Sequence, residues 1–120
     1  MPLPRRRPRA NIRSVTSQGS PYSRFERALA TGNVMLISAA AAELPRITLA
    51  DALRICRAVS ERDPATFERA AVRWIGRFCH ERRAAGLCEV ATASEAFQAM
   101  RACPDEATAR LAVLLEPAGL

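Results

Sequence analysis

Gly32, Pro45, Pro64, Gly86 and Pro104 cut the chain after residue 20 into six short runs, each with its apolar residues at helical rather than strand spacing. The connections between runs are too short to let a helix travel across the molecule before the next begins. Consecutive helices therefore have to turn back on one another. The class predicted is all-α: five to six helices arranged as antiparallel αα-hairpins, in a compact bundle or a short stack.

The start and stop signals support the individual helices. Ser20 with Pro21, or Ser23 with Glu26, opens the first, and Phe25, Ala28 and Leu29 form its apolar side. Gly32 suits a left-handed closing residue, and Asn33 caps a second helix predicted over residues 34–44, with Leu36, Ile37, Ala40, Ala41 and Leu44 inward. Thr48 and Asp51 open the third, whose inward positions are Leu49, Ala52, Leu53, Cys56 and Val59. Asp63-Pro64 is an acidic cap followed by proline at the first helical position. It introduces the most regular run of the chain, Phe67, Ala70, Ala71, Trp74, Ile75, Phe78 and Cys79, with Gly86 as its stop near residues 83–85. A fifth helix is predicted over residues 88–102, burying Val90, Ala93, Phe97 and Met100, and a sixth over residues 105–115, burying Leu111, Leu114 and Leu115. Trp74 reads as the centre of the core.

Charge divides the chain differently. Residues 1–24 contain Arg5, Arg6, Arg7, Arg9, Arg13 and Arg24 and no acid, so the whole net charge of +6 resides there. Residues 25–120 balance twelve Arg against twelve Asp and Glu. With Pro2, Pro4, Pro8 and Pro21 interspersed, residues 1–21 read as a disordered basic tail, residues 22–116 as a single helical domain, and residues 117–120 as a frayed end. Every one of the 18 basic residues is Arg. GC-rich codons favour that usage, which weakens a functional reading of arginine as such, although a guanidinium still forks onto phosphate or carboxylate as lysine cannot.

The stretches Ala28-Leu29-Ala30-Thr31-Gly32-Asn33, Glu43-Leu44-Pro45, Leu49-Ala50-Asp51-Ala52-Leu53 and Phe67-Glu68-Arg69-Ala70-Ala71-Val72-Arg73-Trp74 resemble small all-helical proteins of high-GC bacteria. The resemblance runs over residues 22–115. It implies a recurring helical domain with no assigned reaction and carries no site residue with it. It excludes the arginine-rich tail, so a translation start within the chain, at Val15, is the alternative to a functional tail.

Cys56, Cys79, Cys88 and Cys103 lie 23, 9 and 15 residues apart, unlike the close pairs of zinc or redox sites, and read as reduced thiols of a cytoplasmic protein. No metal ligand set and no cofactor motif is expected. No apolar run approaches the roughly 20 residues of a membrane span, and no apolar region follows the arginines as in a secretory signal. The single histidine, His80, has no serine or cysteine placed to act with it, so an enzyme is not expected.

Two surfaces remain as candidates. Arg69, Arg73, Arg77 and His80 recur along one side of the fourth helix, opposite Phe67, Trp74 and Phe78. Acids on a packed neighbour, Glu61, Glu95 or Glu106, would satisfy this basic stripe internally; otherwise it is free to meet an acidic partner helix or a phosphate backbone. Glu106 is also spaced to pair with Arg110. Arg5, Arg6, Arg7, Arg9 and Arg13 of the tail form the second surface, suited to salt-sensitive phosphate contacts. The function expected is a small non-enzymatic interaction module, adaptor or regulatory, that binds another protein through a charged helix face or groove. The alternative is a nucleic-acid-associated accessory protein using the tail and the stripe nonspecifically.

Overall fold

The computed structural model describes residues 19–117. Arg5, Arg6, Arg7, Arg9 and Arg13, the disorder expected of the tail, and the last three residues of the expected frayed end lie outside the described residues. The fold is all-α. Six helices follow in order among the described residues: α1 (Pro21–Thr31), α2 (Val34–Ala42), α3 (Leu49–Ser60), α4 (Pro64–Glu81), α5 (Leu87–Ala99) and α6 (Pro104–Leu114), and no strand occurs among them. The helices pack chiefly as the consecutive pairs α1/α2, α3/α4 and α5/α6. The chain forms two compact units, one ending at Arg46 and the other beginning at Ile47.

Local chemistry accounts for most helix ends. The Ser20 hydroxyl accepts from the Ser23 N–H at 2.9 Å with Pro21 just inside the helix, so Ser20 rather than Ser23 is the cap. Gly32 closes α1 at φ 70°, the left-handed conformation in which a side chain is strained. Asn33, Thr48 and Asp63 each accept from the backbone N–H three residues on, at 3.1, 3.1 and 3.2 Å. Gly86 does not stop α4. That helix already ends at Glu81, and Gly86 instead caps the start of α5, where its N–H donates to the Glu89 carboxylate at 2.8 Å.

In the first unit, Phe25 and Ile37 are fully buried, and Arg24 pairs with Glu43 across the hairpin at 2.7 Å. The expected inward position of Leu36 is a correction: it is 51% exposed. On a wheel of 100° per residue, Leu36 lies about 100° from Ile37, and only the sector around Ile37 is covered.

The second unit is built around Trp74. Its ring stacks on Phe78 with centroids 5.5 Å apart and meets Phe97 edge-on at 5.5 Å, while Phe67 and Phe97 lie 6.1 Å apart. Leu49, Leu53, Cys56 and Val59 of α3, Ala71, Ala93, Ala96, Met100, Ala107 and Leu111 are buried with them. Ser60 is buried among them without penalty, because its hydroxyl donates to the Arg57 carbonyl at 2.7 Å. Cys79, expected inward, is exposed. Phe67, Ala71, Trp74 and Phe78 define the core direction of α4, and Cys79 lies about 110° from it.

Candidate functional site

Helix α4 has two flanks beside its buried face. One flank, Ala70, Arg73, Trp74 and Arg77, joins Ile47, Ala52, Ile55 and Cys56 in lining a cleft of about 300 Å³. Its floor is aliphatic, thiol and indole, and both of its α4 cations stand at the rim. The other flank, Ala71, Val72 and Ile75, borders a groove shared with Ser94, Phe97 and Gln98 of α5.

The residues of the expected basic stripe are not equivalent. Arg77 is half-buried: its Nη2 donates to the Ile47 carbonyl at 2.9 Å, and its Nε and Nη2 meet the Glu81 carboxylate at 3.0 and 2.8 Å. A side chain held by a backbone carbonyl and a carboxylate is already committed. Arg69 is exposed and helps to hold the Asp63 carboxyl below its ordinary value, after the larger effects of the Thr66 hydroxyl and N–H. His80 is exposed in the last turn. Arg73 is exposed and, among the described residues, has no hydrogen bond or ion pair to any carboxylate.

The acids expected to satisfy this face are engaged elsewhere or stand apart. Glu95 pairs with Arg110 at 3.6 Å, taking the partner that spacing had assigned to Glu106. Arg57 on α3 pairs with Asp105 at the start of α6. Among the described residues, the carboxylate hydrogen-bonded to the stripe is Glu81, on α4 itself.

Cys56 lies on the cleft floor, 2% exposed. Burial pushes its thiol up to about 12, and the nearby Arg73 guanidinium only partly opposes that shift. At neutral pH the thiol stays protonated, and it acts as a small apolar surface rather than a nucleophile. Among the described residues, no group of three or more His, Cys, Asp and Glu side chains is placed to hold a metal ion, and no helix is long and apolar enough to cross a membrane.

Sequence spacing locates Arg73 and Arg77 but not the cleft. Ile47 and Ile55, which help to form it, carry no signal of their own, because it is the packing of α3 against α4 that brings them beside Arg73. No family model, curated protein or solved structure matches this chain.

Proposed function

We propose that this chain is a small non-enzymatic interaction module of the cytoplasm that receives an acidic, amphipathic segment of another protein on the α3/α4 cleft. The observation that carries the reading is Arg73: an exposed guanidinium without a carboxylate partner among the described residues, at the rim of an apolar cleft. A partner presenting one aliphatic or aromatic side chain to Ile47, Ala52 and Ile55, with Asp or Glu beside it, complements both features together. Arg69 lies one turn before Arg73 and adds its charge, whereas Arg77 is already held by Glu81. Arg77 also keeps the rim in place through the Ile47 carbonyl.

The non-enzymatic reading is supported by the protonated, buried Cys56 thiol, which is not a nucleophile in that state. Four free cysteines suit a reducing compartment. The nucleic-acid alternative has less support from this face, because Arg77 is neutralised in place and leaves a broken stripe rather than a continuous track.

Peptide display selection against the full chain tests the proposal. The selected peptides are expected to combine an apolar anchor with flanking Asp or Glu. Arg73→Glu should weaken their binding about tenfold or more while far-UV helicity stays unchanged, and added salt should weaken it as well. Selected peptides without acidic bias, or affinity that Arg73→Glu leaves intact, overturn the assignment. So does a chain that takes up random duplex DNA through this same face.

A further inference from the structure

Arg69, Arg73, Arg77 and Glu81 follow one another at intervals of four along α4, so they form one row down a single side of the helix. Three cations run into one carboxylate. Arg73 and Arg77 both line the α3/α4 cleft, and among the described residues Glu81 pairs with Arg77 alone.

Two contacts hold Arg77, and they do different things. Its Nη2 donates to the Ile47 carbonyl at 2.9 Å, a part-buried bond across 30 residues that fixes the guanidinium at the cleft rim. Its Nε and Nη2 also meet the Glu81 carboxylate at 3.0 and 2.8 Å, where both side chains are 40% exposed. Losing the second contact leaves the first in place. Arg77 then stays at the rim with its charge unmatched, one turn from Arg73.

An exposed ion pair between residues four apart contributes little to the fold, because water solvates both groups nearly as well when they separate. A carboxylate arriving from outside can therefore replace Glu81 and restore the charge-assisted hydrogen bonds to Arg77, while Glu81 returns to water. The exchange gains most when the incoming acid belongs to a segment already seated by an apolar anchor and by another acid on Arg73. The second contact is then intramolecular. Because Arg73 and Arg77 are one turn apart, the acids that match them on a helical segment are also one turn apart. A segment with a single acid is satisfied by Arg73 and leaves Glu81 where it is.

Building on the reading of the α3/α4 cleft as the receiver of an acidic segment, we propose that Glu81 is an internal stand-in for a partner carboxylate. It occupies Arg77 in the free chain and yields it to the second of two acids spaced one helical turn apart on the bound segment. Glu81 thus restrains binding at the site it borders, and the site takes a partner with paired rather than single acids.

Two fluorescein-labelled helical peptides test this by fluorescence anisotropy with the full chain. Both carry a Leu anchor and a Glu beside it; four residues from that Glu, one peptide has a second Glu and the other a Gln. Glu81→Gln should tighten the two-Glu peptide about three- to fivefold and the one-Glu peptide less than about twofold. Adding Arg77→Ala to Glu81→Gln should abolish that difference. Unchanged affinities in Glu81→Gln, equal tightening of both peptides, or a difference that survives Arg77→Ala overturns the stand-in and leaves the cleft as a binding site. Failure of both peptides to bind the unaltered chain, or binding that Arg73→Glu does not weaken, overturns the cleft reading and the stand-in with it.

Discussion

Trp74 donates its indole N–H to the carbonyl oxygen of Leu49 at 2.8 Å, fastening the middle of α4 to the first residue of α3. The bond is buried, and the indole that makes it also stacks on Phe78 and meets Phe97. Trp74→Phe retains an aromatic ring and loses the donor, so a loss of about 1 kcal/mol from the missing hydrogen bond is expected. Trp74→Ala removes the ring contacts as well and should cost about 3–5 kcal/mol. Urea unfolding followed by far-UV circular dichroism measures both, since Trp74 is the single tryptophan of the chain. Equal losses in the two variants would contradict a central position for the ring.

Thiol labelling separates the four cysteines. Cys79, Cys88 and Cys103 are exposed and Cys56 is buried, with its thiol pushed up to about 12. In native protein at neutral pH the three exposed thiols should react with a disulfide reagent in a fast phase, and Cys56 only as the fold opens. The slow phase should quicken with urea in step with unfolding. Rapid native labelling of Cys56 would show an open cleft floor.

Acid should weaken the fold through two helix starts. Hydrogen bonds from the Thr66 hydroxyl and N–H hold the Asp63 carboxyl below its ordinary value, and the Gly86 N–H does the same for Glu89. A carboxyl whose value is lower folded than unfolded stabilises the fold fully above the unfolded value and progressively less as pH falls through the folded one. The urea midpoint should therefore hold from neutral pH to about 5 and decline below about 4, in the range where unfolded carboxyls titrate. Asp63→Asn with Glu89→Gln should flatten that decline. An acid limb of unchanged slope in the double variant would assign the loss to other groups.

Arg77 should matter more through Ile47 than through Glu81. The Arg77–Glu81 pair is exposed and joins residues four apart on one helix, so Glu81→Gln is expected to cost less than about 0.5 kcal/mol. Arg77→Ala also removes the donor to the Ile47 carbonyl and should cost about 1 kcal/mol. Thermal or urea midpoints of the two variants decide the ranking, and a larger effect of Glu81→Gln would reverse it.

The helices were legible in the amino-acid sequence because their signals are local. A cap and the N–H it accepts lie three residues apart, as in Asn33 with Leu36 and Asp63 with Thr66, so neighbouring residues determine where α2 and α4 begin. Helical spacing likewise determined that Phe67, Trp74 and Phe78 share a face. Tertiary structure alone decided how wide that face is: Cys79 and Leu36 fit the periodic pattern, yet both are exposed. It also decided the partners of the charged groups. Arg77 bonds to Ile47 across 30 residues and Arg57 to Asp105 across 48, separations that no spacing rule encodes. Periodicity describes directions around one helix axis, whereas a cleft such as that beside Arg73 exists only where a second helix comes to lie against the first.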